Sequence, residues 1–131
     1  MRSARLLFAF IALVGCSSSS STNLNSMELA IDLSPSDQKA LCDWWASQYG
    51  GYGGKVVCGG LIADQRGPTD QASCVAGLPE KATSPSCGAT VGNYQGCVKD
   101  RVANGCTTPL LPMDCNATHS SLCVPANAGT D

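Results

Sequence analysis

The chain has 131 residues, 44% of them hydrophobic but only 5% aromatic, with nine cysteines and a formal net charge of −2. A length of this order holds one small domain, and the scattered, mildly acidic charge leaves no footprint for nucleic acid or for anionic lipid headgroups. Nine cysteines in so short a chain point to an oxidising compartment and a crosslinked scaffold.

Arg2 and Arg5 precede an apolar run from Leu6 to Val14, which stops at Gly15-Cys16. The run is too short to span a bilayer, which takes about 20 apolar residues, and it fits the core of a signal peptide. Leu13-Val14-Gly15-Cys16 resembles a bacterial lipoprotein signal. The resemblance implies that residues 1–15 are removed as a signal peptide and that Cys16 becomes the lipid-bearing first residue. Two or more acyl chains there give stable anchoring, where one gives only a marginal hold. An ordinary secretory signal cut near Gly15 or Ser17 is the plainer alternative, but it leaves the placed cysteine without a role. Ser17 beside the lipidated residue favours the outer membrane by the sorting rule of enteric bacteria. Without the leader, six basic residues face ten acidic ones, a net charge of −4, and both phenylalanines are gone.

Residues 16–33 read as the lipidated cysteine and a flexible tether, with a root-mean-square span of roughly 23 Å. Within it, Met27 to Leu33 is the stretch suited to pack on the domain as a short arm. The domain itself runs over 34–123, and 124–131 reads as a disordered tail.

Eight cysteines fall in that domain: Cys42, Cys58, Cys74, Cys87, Cys97, Cys106, Cys115 and Cys123. An even number in a small exported domain reads as four disulfides, and Cys16 is the ninth because its thiol is spent on lipid. No Cys-x-x-Cys pair is present and there is a single His, so the ligand spacing of a zinc module is missing and no metal or cofactor is expected. Sequence alone leaves all 105 pairings open. Between Ser34 and Cys123 there are nineteen Leu, Ile, Val, Met, Trp and Tyr residues. A core that thin leaves the stability margin dependent on crosslinks.

The expected architecture is all-α, a small disulfide-rich bundle of three to four short helices. Ser34-Pro35-Ser36-Asp37 supplies an N-cap, a Pro at the first helical position and an acid at the third, so a first helix should run to about Tyr49 and stop at Gly50. Gly50-Gly51-Tyr52-Gly53-Gly54-Lys55 fails as a phosphate-binding loop, because Tyr49 stands where a Gly is needed and Val56 where a Ser or Thr is needed. It reads instead as a permissive turn that delivers Val56-Val57-Cys58. A second short helix follows Pro68 with Thr69 as cap and ends near Gly77. A third starts at Ser84-Pro85 and runs through Ala103, its apolar side formed by Val91, Tyr94, Val98 and Val102. Gly88, Gly92 and Gly96 along it suggest close approach of a neighbouring helix, and a bridge from Cys97 to Cys42 is plausible. Pro112 to Cys123 is the stretch suited to a short helical turn.

Trp45, Tyr49 and Tyr52 form the one candidate ligand-contact group, an aromatic platform for a sugar or other apolar ligand, against the plainer reading that they fill the core. His119 lies in a polar stretch with no Gly-x-Ser-x-Gly context and no placed acid, so no catalytic residue is assigned.

The segments Leu41-Cys42-Asp43-Trp44-Trp45, Val57-Cys58-Gly59-Gly60 and Cys87-Gly88-Ala89-Thr90-Val91-Gly92-Asn93-Tyr94-Gln95-Gly96-Cys97-Val98 resemble the short cysteine-rich lipoproteins abundant in myxobacteria. The resemblance implies a lipid anchor and a helical disulfide-bonded domain. The expected function is that of a non-enzymatic envelope lipoprotein that binds or supports an envelope protein or glycan. A glycan- or peptide-recognition module using the first helix's aromatics is the alternative, with a hydrolase-like enzyme using His119 behind it.

Overall fold

A computed structural model of the chain describes residues 23–59, 63–107 and 113–123, with side chains 113 and 114 left aside. Residues 1–15, read as a signal sequence, together with Cys16, the Ser tract and the 124–131 stretch, lie outside the described residues. The described part is mostly helical and carries four disulfides, but it also contains a two-stranded sheet, so the fold is not purely α. In chain order come a 3₁₀ turn at Ala30–Asp32, α1 (Pro35–Gln48), β1 (Lys55–Val56), β2 (Gln65–Arg66), α2 (Gln71–Ala76), α3 (Val91–Asn104) and α4 (Met113–Thr118). Among the described residues, no helix is long and apolar enough to cross a membrane.

Helix α1 begins as its cap predicts: the Ser34 hydroxyl accepts the Asp37 N–H at 3.2 Å, and Pro35 opens the first turn. One face carries Leu41, fully buried, and Trp44, only 7% exposed, into the core with Tyr49, Val91, Tyr94 and Val98. Three glycines with positive φ, Gly50, Gly51 and Gly53, then reverse the chain. Their loop is pinned to the chain after β2 by two backbone hydrogen bonds, Gly53 N–H to Pro68 O at 2.8 Å and Gly67 N–H to Gly54 O at 3.0 Å.

β1 and β2 pair antiparallel, Lys55 opposite Arg66 and Val56 opposite Gln65. Asp64 holds the hairpin. One carboxylate oxygen accepts the Lys55 ammonium at 2.9 Å, the other the Cys58 N–H at 3.0 Å. The Lys55 bond first and the Cys58 N–H second hold the Asp64 carboxyl below its usual range. Strands of two residues cannot show the alternation by which a strand is recognised in sequence.

Two helix starts differ from expectation. Asp70, not Thr69, caps α2: its carboxylate accepts the Ser73 N–H at 2.8 Å, while the Thr69 hydroxyl lies on Asp70 and Ser73. Helix α3 begins at Val91 rather than at Ser84-Pro85, because Thr90 and Asn93 form a reciprocal capping box and the residues before it are drawn out by the N-terminal arm. Leu29 bridges Thr90, and Ala30 N–H donates to Ala89 O at 2.9 Å. The arm returns the exchange. Glu28 O accepts the Val91 N–H and Ser26 O the Gly92 N–H, at 2.9 and 2.8 Å, and the Thr90 hydroxyl takes the Asn93 N–H at 3.2 Å. Donors left open at a helix start by geometry are thereby filled, two of them by the arm. Part of the stretch read as tether is thus seated on the domain, with Ala30 and Leu33 buried in the core and Met27 78% exposed.

The glycine spacing has a different cause from the one expected. A Cβ on Gly92 would lie 2.9 Å from Ser26 O, so the close neighbour is the arm rather than a helix, whereas Gly88 lies before α3 in open space.

All eight domain cysteines pair: Cys42–Cys74, Cys58–Cys106, Cys87–Cys123 and Cys97–Cys115. The Cys42–Cys97 bridge does not form, because α1 turns its cysteine to α2 and α3 turns Cys97 to α4.

Replacing both Cys42 and Cys74 with Ser should lower stability by about 3 to 4 kcal/mol, the cost of reopening a loop of 32 residues in the unfolded chain, as read by urea unfolding. Gly92→Ala should destabilise by about 1 kcal/mol or more despite alanine's higher helix propensity. Gly88→Ala should change little, and equal melting temperatures for the two variants would show that the arm is not seated.

Candidate functional site

Helices α1, α2, α3 and α4 and the segment after β2 leave a cleft of about 360 Å³ between them. Its volume falls at the small end of ligand pockets, about 300 to 1,000 Å³. Cys74, Cys97 and Cys123 line it, so three of the four disulfides fix its walls. The apolar body comes from Trp45 of α1, Pro68, and Tyr94 and Val98 of α3. Trp45 is half-buried, its ring 6.4 Å from that of Tyr94 and tilted by 53°. Burial pushes the Tyr94 phenol up to about 12. The Trp45 indole N–H is buried without a partner, a condition that costs about 1 to 3 kcal/mol.

Beside the Ser73 and Thr118 hydroxyls, the cleft's polar lining consists of nitrogen bases. Arg66, Arg101 and His119 line the cleft, and among the described residues no carboxylate does. The ion pairs among the described residues are Lys55–Asp64 and Lys81–Asp32, so neither guanidinium is in direct ion-pair contact with a described acid, although the Arg66 charge also acts on Asp64. Arg101 is positioned near the C-terminal end of α3, where its Nη2 lies 3.2 Å from His119 Nε2. Burial first, and the Arg101 charge second, hold the His119 imidazole below its ordinary 6.5. The ring is therefore neutral at pH 7, and as acceptor of the Arg101 N–H it carries its proton on Nδ1. The neighbouring Thr118 hydroxyl donates to Cys115 O at 3.0 Å. Arg66 is set by the pairing of β2 and by Gln65, whose amide donates to Gly105 O at 3.3 Å and ties the strand to the end of α3.

Of the three aromatics read as a platform, only Trp45 reaches the cleft. Tyr49 is 6% exposed, its ring lying against Gly67, where an added Cβ would stand 2.8 Å from it. Burial raises the Tyr49 phenol, with Arg101 pulling the other way. Tyr52 is 39% exposed and donates to Asp43 at 2.6 Å, with Gln71 donating to the same carboxylate oxygen at 2.7 Å. Burial of its hydroxyl and then the Asp43 contact push the Tyr52 phenol up to about 12. Trp44 sits in the core with the Lys99 ammonium 5.9 Å from its ring centre. Arg66, Tyr94 and Arg101 were not among the sequence candidates, and His119 is an exposed residue at the cleft's edge. Among the described residues no cluster of His, Cys, Asp or Glu is arranged to hold a metal ion.

In comparison with known proteins, the chain matches no family model, no curated protein and no solved structure.

His119 should titrate below 6.5 by proton NMR, and Arg101→Gln should move it upward. Because the folded value lies below the unfolded one, the unfolded chain binds the proton first. Stability should fall as pH drops from about 6.5 through the folded value, and a His119→Gln variant should lose that slope.

Proposed function

We propose that this protein is an exported, lipid-anchored envelope lipoprotein whose disulfide-bonded helical domain is a non-enzymatic binding module. The cleft carries this reading: an apolar recess with convergent polar groups and walls fixed by three disulfides is the ordinary form of a small-ligand site. Pairing of all eight domain cysteines supports the reading of Cys16 as the odd one, reserved for lipid, and four disulfides are compatible with export. Lipid on Cys16 places the domain at the outer membrane by the sorting reading of Ser17, and membership among the myxobacterial cysteine-rich lipoproteins is part of the same proposal. Recognition in this reading runs through Trp45 and Tyr94 in the cleft, with Tyr49 supporting from beneath and Tyr52 outside.

Metabolic labelling with an alkyne fatty acid should mark the protein and place it in the membrane fraction. Cys16→Ala should abolish both. Persistent labelling of that variant would overturn the anchoring half of the proposal.

A further inference from the structure

Resting on the reading of the cleft as a binding site, we infer that its occupant is a small molecule with an apolar ring or short chain and one carboxylate, the carboxylate seated on Arg66 and Arg101. Two observations carry this. Arg66 and Arg101 both line one recess with no described carboxylate in its wall, and neither forms an ion pair with a described acid, so the recess holds a local positive charge in a chain whose total charge is negative. The remaining wall is Trp45, Tyr94, Val98 and Pro68, suited to an apolar body of limited size. Arginine is the side chain best matched to a carboxylate, because its planar fork can donate two parallel hydrogen bonds. His119 adds to the arrangement. Its Nε2 accepts from Arg101, which orients the guanidinium without neutralising it, so the positive charge stays available to the ligand. Scattered surface charge elsewhere does not reproduce this, since Lys55 and Lys81 are each spent on an aspartate and neither Lys39 nor Lys99 lines the recess.

The test is a titration of the purified, disulfide-bonded protein with 3-phenylpropionate and with its uncharged amide, followed by tryptophan fluorescence, which Trp45 in the cleft wall should report. The carboxylate should bind saturably and about tenfold or more tighter than the amide, since a charge-assisted hydrogen bond is worth at least that ratio. Raising the salt concentration should narrow the difference. Arg101→Gln and Arg66→Gln should each erase most of it while leaving amide binding in place, and Lys81→Gln, which changes net charge equally but away from the cleft, should leave it intact. Equal binding of acid and amide, or no response to either arginine variant, would overturn the carboxylate assignment while the binding reading stands. Binding of neither compound overturns both. Binding that appears only after residues 124–131 are removed would make the chain's own tail the occupant and would also overturn the assignment.

Discussion

Covalent crosslinking is the constraint on which this fold depends. The core has few large side chains, and its helices are short: α2 and α4 have six residues each, well below the length at which an isolated helix holds together in water. Each has a cysteine bonded to a longer neighbour, Cys74 to α1 and Cys115 to α3. The longer helices α1 and α3 are thus templates, and the short ones are fastened to them. The remaining two disulfides close the ends, one joining the hairpin to the turn after α3 and one joining the segment before α3 to the chain after α4.

Within that frame the polar backbone is arranged so that helix starts are satisfied from outside the helix. Ser34 and Asp70 do this with side chains, and α3 does it with a capping box and a separate stretch of chain. The arm's carbonyls substitute for the turn of helix that α3 lacks, and Gly92 is the residue that lets them approach. This coupling has an effect on the cleft, because Tyr94, Cys97, Val98 and Arg101 all project from α3 and take their position from where that helix begins.

What could be read from the sequence followed from local chemistry. The start and end of α1, the end of α2 at Gly77 and the pairing of eight cysteines all rest on single residues or simple counts. The late start of α3 was illegible because the competing interaction came from residues 28 to 30, some sixty positions away, and the Ser34-like signal at Ser84-Pro85 was outweighed by it. The hairpin was too short to have a period. For the cleft, Trp45 was legible as one of the first helix's aromatics, but Arg66 and Arg101 lie on different elements thirty-five positions apart. Nothing in their local sequence marks two isolated arginines as neighbours; the bonds from Gln65 to Gly105 and from Cys58 to Cys106 bring their elements together.

The seated arm also bears on reach. If the protein is held at Cys16, only six residues separate that anchor from the first described residue, so fully extended chain allows the domain about 25 Å of distance. That is less than the diameter of a small domain, a short leash. Any load on the anchor would enter the domain through residues 26 to 30 and be borne by the backbone hydrogen bonds to Ala89, Val91 and Gly92, making the start of α3 the point at which motion of the membrane is transmitted to the protein.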